Sequence, residues 1–370
     1  MKDICVAIGC GAIGKSISGY IFSKMNFKVV FADSFKPAID EMSKGVYSIF
    51  VSDSGEIVRE DVQGFDAVLT DSDKFKENLL RARVICTAVG PVGLKTVIPQ
   101  IAAILKEKND DKAVQLFLFE NDVDSQEFAL NEFSKVFGTV PEWLDVAGSS
   151  IERMTQRFEY INPAVITEKF FPVFVNAKNV KNFAFEGAEK YFNAVENFHA
   201  YYYRKLHTNN LGHAILGYLG LKKGYSETVA AISDKEIKEY LKKCLFESGE
   251  MLQKEYGFSN EQIRSHIKEL TTRYYNMKDD LKRLVRDSSR KLGRKERIVG
   301  TIEKCLKNSV DCPNICKLVT YAVDYLLIEN DDKVLYETYT KKGLGGVLET
   351  VSGLKPDEKV YNYILSNISF

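Results

Sequence analysis

No stretch of this 370-residue chain approaches the roughly 20 consecutive apolar residues that cross a bilayer. Net charge is also missing: Lys and Arg number 51, and so do Asp and Glu. Without a net field there is no bulk attraction to nucleic acid or to an acidic membrane. Histidine is scarce. His199, His207, His213 and His266 are the whole set, and none lies at the HExxH spacing of a helical metal site. The cysteines Cys5, Cys10, Cys86, Cys244, Cys305, Cys312 and Cys316 form an odd set, mostly in apolar segments. That predicts buried reduced thiols rather than a disulfide framework. Cys312 and Cys316 have no histidine or second cysteine pair close in sequence, so no metal is expected. No repeat, low-complexity tract or Pro/Gly-rich linker interrupts the chain. A strand pattern begins within four residues of Met1, which leaves no room for a secretory signal. The expectation is a cytoplasmic globular protein acting on a small molecule.

The amino terminus carries a positive signal. Ile4-Cys5-Val6-Ala7-Ile8 is a short apolar run suited to a buried parallel strand. Gly9-Cys10-Gly11-Ala12-Ile13-Gly14 follows, and a helical pattern starts at once with Ile13, Ile17, Tyr20 and Ile21. This is GxGxxG between a strand and a helix. Its glycines allow a tight turn, close approach of a pyrophosphate, and contact of helix on strand. The phosphates then meet free N–H groups at the helix N-terminus. A second strand pattern, Lys28 to Ala32, ends in Asp33, nineteen residues after Gly14. A carboxylate there accepts from both adenosine ribose hydroxyls and repels a 2′-phosphate. No arginine follows it, so NAD is favoured over NADP.

Further strand patterns lie at 66–70, 84–89 and 114–119, with a helical pattern from Leu94 to Leu105. Strands spaced by helices predict a doubly wound parallel sheet whose ligand lies at the carboxyl ends of the strands. Two segments fall at such ends: Thr87-Ala88-Val89-Gly90-Pro91-Val92 and Glu120-Asn121. Thr87, Ala88, Val89 and Gly90 are small enough to lie against a cofactor. A charged residue and an amide after a strand also suit the start of a plain loop. One extended stretch, Val165 to Ala177, contains Pro172, which restricts it to an edge or a bulge. Beyond residue 180 the pattern turns helical, over 235–256, 259–274, 298–309 and 315–328. The predicted class is α/β: a Rossmann-type domain over 1–180, then a mainly α-helical domain over 181–370.

Within the helical half, Lys205, Asn210 and His213 stand at offsets of five and three between apolar segments. On an α-helix, at about 100° per residue, Asn210 and His213 share a face and Lys205 lies within about 140° of both. A snorkelling lysine beside a capping asparagine would give the same residues a purely structural part. Further on, Lys282, Arg283, Arg286, Arg290, Lys291, Arg294, Lys295 and Arg297 form a basic stretch, offset in part by Asp279, Asp280, Asp287 and Glu296. It suits either a solvated surface or an anion site, in which arginine forks match phosphate oxygens and Ser288-Ser289 add hydroxyls.

Taken together, these segments resemble the polyol-specific long-chain dehydrogenases, in particular their sugar-phosphate branch. The resemblance runs along nearly the whole chain. Gly9 to Gly14 with Phe31-Ala32-Asp33 is similar to the family's cofactor motif, and Thr87 to Val92 with Glu120-Asn121 to its strand-end segments. Lys205, Asn210 and His213 match the Lys-x4-Asn-x2-His signature. Gly212 to Ile215, Tyr218-Leu219-Gly220, Glu247-Ser248-Gly249, Tyr256-Gly257-Phe258 and Arg290-Lys291-Leu292 extend the match. The resemblance implies a metal-independent, NAD(H)-dependent interconversion of mannitol 1-phosphate and fructose 6-phosphate. It makes Gly9, Gly11, Ala12, Ile13, Gly14, Asp33, Thr87, Ala88, Val89 and Gly90 the cofactor contacts. Lys205 becomes the general base, which must be lowered from its free value of about 10.4 to act near neutrality. Asn121 and Asn210 donate to the alkoxide, His213 holds a neighbouring hydroxyl, and Arg286, Arg290 and Lys291 take the substrate phosphate. The partner is thus a small sugar phosphate, not nucleic acid or membrane, and the sequence is compatible with a monomer or a homodimer.

The chain departs from the family at three places. Ala12 replaces the usual asparagine. Val-Asp-Arg-Ile becomes Ile151-Glu152-Arg153-Met154, followed by Thr155-Gln156-Arg157 in place of prolines. The carboxylate before the lysine is replaced by Tyr202 and Tyr203. The alternatives are another polyol or hexuronate oxidoreductase, or an NAD-binding protein of this fold that does not catalyse.

Overall fold

The structure is a computed structural model. It describes residues 2–53, 56–122, 124–157, 164–169, 172–181, 185, 187–276, 278–329 and 333–368. They form two compact units, Met1–Tyr202 and Tyr203–Phe370.

Among the described residues the first unit contains twelve strands: β1 (Ile4–Ile8), β2 (Lys28–Asp33), β3 (Val46–Asp53), β4 (Glu56–Gln63), β5 (Asp66–Leu69), β6 (Ala82–Thr87), β7 (Val114–Leu118), β8 (Leu144–Ser150), β9 (Thr155–Arg157), β10 (Ala164–Glu168), β11 (Val173–Asn176) and β12 (Phe192–Val195). Eight make one sheet in the order β12-β11-β8-β7-β6-β1-β2-β5. The run from β8 to β5 is parallel throughout. Its strands read as apolar runs because both faces are covered. Cys5, Ala7, Phe31, Cys86 and Phe117 feed one core. Val6, Ile8, Val30, Ile85, Leu116 and Leu118 feed the other. The chain leaves β1 towards β2 and β5, then returns to β6, β7 and β8 on the opposite side. That places the topological switch between β1 and β6, where a doubly wound sheet binds its ligand.

The stretch expected as one extended segment over 165–177 is two strands in two sheets, with Pro172 between them. β11 extends the main sheet antiparallel to β8. β10 joins a second, four-stranded sheet of order β4-β3-β10-β9. Phe170 and Phe171 lie outside the described residues. The change of pattern near residue 180 precedes the division between the units, because β12 pairs with β11 and completes the first sheet.

The second unit is helical. Its centre is the helix Leu211–Lys222, apolar nearly all round and buried from Ala214 to Gly220. Such a helix needs neighbours on every side. Gly217 and Gly220 let one come close. A Cβ at Gly217 would collide with Val285, and one at Gly220 with Leu281, so the helix Leu281–Val285 packs directly on that backbone. The helix Lys235–Tyr256 starts at Asp234, whose carboxylate accepts from the amides of Glu236 (2.9 Å) and Ile237 (3.0 Å). It stops at Gly257, which takes φ 77°. The helices Asn260–Asn276, Val299–Lys307 and Pro313–Glu329 fall where the apolar periodicity places them. Among the described residues no helix is long and apolar enough to cross a membrane. All seven cysteines are buried and none forms a disulfide.

Candidate active site

In the first unit the Gly9–Gly14 loop follows β1 and the Thr87–Gly90 loop follows β6, side by side at the switch point. Gly9 takes φ 103°, and a Cβ there would collide with the Ala88 carbonyl. A Cβ at Gly14 would collide with the Gly9 carbonyl, while one at Gly11 would point into open space. Two glycines therefore serve close packing and the third leaves room, which is the cradle a pyrophosphate needs. Ala12 and Ile13 open the helix and precede a π-helical turn, Gly14–Gly19. Asp33 accepts from the backbone amides of Cys10 (2.8 Å) and Phe35 (2.9 Å). Its carboxylate is thus fixed beside the glycine loop, with lone pairs left for ribose hydroxyls. These residues fit a nicotinamide dinucleotide. Thr87 is fully buried, and Gly90 takes φ 76° at the start of the helix Gly90–Leu105.

The Lys205, Asn210 and His213 signature lies in the second unit. Lys205 ends the helix Phe198–Lys205 and is partly buried. The next turn, Leu206–Asn210, is a π-helix. This changes the geometry expected from an α-helix. A π-turn closes on the residue five back, so positions five apart stack. Lys205 and Asn210 have that spacing, and the turn brings them to one face. Asn210 is only 8% exposed, and its amide makes no hydrogen bond with a described residue. The His213 imidazole makes none either, and rests edge-on to the Tyr274 ring at 5.4 Å. Burial, then the charges of Arg283, Arg297, Arg273 and Lys205, push its pKa down to about 3. His213 is therefore neutral at physiological pH, with one nitrogen to donate and one to accept.

Side chains hold the π-turn by its carbonyls. Thr208 Oγ1 donates to Arg204 (2.6 Å), Ser248 Oγ to His207 (2.7 Å) and Tyr274 OH to Asn209 (3.1 Å). His207 Nδ1 lies 2.8 Å from Thr301 Oγ1, which donates to the Arg297 carbonyl at 2.6 Å. That hydroxyl proton is committed, so His207 donates from Nδ1.

The basic stretch divides by burial. Arg286 is exposed. Arg290 is also exposed, and pairs with Asp287 (2.6 Å) and Glu296 (2.7 Å). Arg294 pairs with Glu303 and Glu358. Lys291 and Arg297 are buried, at 4% and 7% exposure. The structure thus sets Lys291 apart from Arg286 and Arg290. Asn121 lies in the first unit, exposed just beyond β7.

Sequence reasoning named Glu120 and Arg153 without their bracing roles and missed Tyr47. Glu120 accepts from the amides of Val89 (3.1 Å) and Gly90 (2.8 Å), fixing the Thr87–Gly90 loop. Arg153 is buried and donates to the carbonyls of Ser16 (2.8 Å) and Glu168 (3.0 Å). Tyr47 OH donates to the Lys15 carbonyl at 2.8 Å. Arg153 and Tyr47 thus brace the first π-turn, as Ser248 and Tyr274 brace the second. A glutamate directly after a buried strand was the available signal for Glu120. Nothing local in sequence marks Tyr47.

Residues 3–197 match the family model of the mannitol dehydrogenase Rossmann domain, and residues 197–339 that of the mannitol dehydrogenase C-terminal domain. The mannitol-1-phosphate 5-dehydrogenase of Bacillus licheniformis is 27% identical, across 99% of each chain. That of Bacillus pumilus is 28% identical, across 96% of this chain and 97% of its own. Among solved structures, Pseudomonas fluorescens mannitol 2-dehydrogenase in ternary complex with NAD and D-mannitol superposes with a TM-score of 0.77 at 14% identity, covering 99% of this chain and 91% of that one. A substrate-free D-sorbitol dehydrogenase gives 0.70 at 15% identity, covering 87% and 80%. At these identities the two structures speak for the fold alone.

Proposed function

The chain belongs to the mannitol dehydrogenase family, and from that premise we propose that it is an NAD-dependent dehydrogenase interconverting mannitol 1-phosphate and fructose 6-phosphate. The observation that carries the chemistry is the π-turn. It turns Lys205 and a buried Asn210, whose amide has no described partner, towards one face, one turn before a neutral imidazole with none. Neither side chain is among the sealed polar atoms that lack a partner, so both are left able to hydrogen-bond a ligand.

Lys205 removes the hydroxyl proton in the oxidative direction and returns it in the reductive one. Asn210 donates an amide N–H to the oxygen as negative charge develops, and Asn121 is a second amide donor for that charge. Neutral His213 holds a neighbouring hydroxyl as donor or acceptor. Asp33 and the Gly9–Gly14 loop bind NAD, whose nicotinamide supplies the hydride chemistry. The substrate phosphate falls to the basic stretch of the second unit, in which Lys291 is buried while Arg286 and Arg290 are exposed. The relatives named for mannitol 1-phosphate support this substrate.

The test is NADH oxidation across fructose 6-phosphate, other ketose phosphates, free fructose and keto-uronates. Fructose 6-phosphate is expected to give the highest kcat/KM. A keto-uronate preference would move the chain to another branch of the family, and no turnover with any ketone would make it a non-catalytic NAD-binding protein.

A further inference from the structure

Arg297 and Lys291 are both buried in the second unit. Tyr218, on the same helix as His213, donates to Ser288 Oγ at 2.7 Å. That bond pins the short helix Ser288–Lys291 to the central one, next to the contact made through Gly217 and Gly220. Arg297 is tied to the π-turn through Thr301 and His207. Its Nε contacts Glu296 at 3.3 Å, but Glu296 is shared with Arg290 at 2.7 Å. Lys291, 4% exposed, has no hydrogen bond or ion pair with a described residue. Asp287, which begins its helix in a left-handed conformation at φ 63°, turns its carboxylate to Arg290. Of the two buried cations, Arg297 therefore has part of one carboxylate and Lys291 has no ion pair with a described residue.

We propose that Lys291 and Arg297 together form the subsite for the substrate's phosphate, and that the exposed Arg286 and self-paired Arg290 are not its main ligands. The proposal rests on the sugar-phosphate reading above and assigns the residues that give it specificity. A buried ammonium with no counter-ion is costly in the empty protein and is compensated when a dianion arrives. The groups around Lys291 account for its state: burial, then Arg297 and Arg290, bring its pKa down to about 7 against the pull of Asp287 and Glu296. Phosphate binding should restore its proton, so the dianion is taken up with a proton above pH 7.

The experiment compares kcat/KM for fructose 6-phosphate and for free fructose in wild type, Lys291→Met and Arg297→Lys, with thermal melts in and out of millimolar inorganic phosphate. In Lys291→Met the preference for the phosphorylated ketose should fall about ten- to a hundred-fold, the value of one charge-assisted hydrogen bond. Inorganic phosphate should raise the wild-type Tm and lose that effect in the variant. The variant's own Tm in the absence of phosphate should equal or exceed wild type, because an uncompensated charge has gone. A lower Tm would mark Lys291 as structural and overturn the assignment. So would equal losses on the two substrates. Arg297→Lys keeps the charge and loses the fork, and must also lower the preference. If wild type ignores fructose 6-phosphate while phosphate still stabilises it through Lys291, the anion subsite stands and the sugar-phosphate reading falls.

Discussion

Replacing Asp33 by Ala separates the two tasks of its carboxylate. In the free protein it accepts the Cys10 and Phe35 amides at 2.8 and 2.9 Å. Water can reach the exposed Phe35 side, so the loss there is small, and the Cys10 amide accounts for about 1 kcal/mol of stability. In the proposed NAD complex the remaining lone pairs would take the ribose hydroxyls. Each such bond to a charged acceptor is worth about 1.5–3 kcal/mol. Loss of one should raise the Kd for NADH by roughly ten- to a hundred-fold, and loss of two by roughly 10²- to 10⁴-fold. NADPH should respond differently, because removing the carboxylate also removes its repulsion of the 2′-phosphate. Discrimination between the cofactors should therefore collapse. The assay is fluorescence titration of both cofactors with wild type, Asp33→Ala and Asp33→Asn. The asparagine offers only one oxygen to the two amides and should fall between. A wild type that binds NADPH as tightly as NADH would refute the reading. So would equal weakening of both cofactors, which would reduce Asp33 to a loop brace.

Two further outcomes follow from the second unit. Tyr274→Phe leaves the Asn209 carbonyl without its hydroxyl donor, at about 1–3 kcal/mol. It should lower Tm by a few degrees and kcat more than KM, and a kcat equal to wild type would mean the π-turn holds without it. His207, like His213, has its pKa pushed down to about 3, by burial and then by the charge of Lys304. Both stay neutral in the folded state while the unfolded state takes up protons below about 6.5. Their contribution to stability is complete above pH 6.5 and is lost as pH falls towards 3. A denaturation series across that range should show the fall, and His207→Gln should flatten it.

The parallel sheet was legible because β1, β2, β6 and β7 are apolar runs bounded by turn residues, and the GxGxxG loop sits where its spacing requires. The long helices of the second half were legible from periodicity, with the helix Lys235–Tyr256 matching the expected 235–256. The hairpin β3–β4 was not, because most of β4 is exposed and carries no burial pattern. Pro172 hid a change of sheet behind an apparently continuous apolar stretch. The π-turn at Leu206–Asn210 differs from an α-turn by one residue per hydrogen bond, which composition cannot encode. It depends on donors from Ser248 and Tyr274, distant in sequence. The basic stretch showed its charges but not their burial. Arg290 and Lys291 are neighbours in sequence, yet one pairs at the surface and the other lies inside.

The most direct test of the central claim is single-turnover oxidation of NADH by fructose 6-phosphate in wild type and Lys205→Ala, with NADH affinity measured in parallel. General acid–base groups contribute about 10²–10⁴-fold. The variant should bind NADH as wild type does and lose rate in that range, with partial recovery on adding small primary amines. A variant that turns over at the wild-type rate would contradict the assignment of Lys205 as the group that moves the proton.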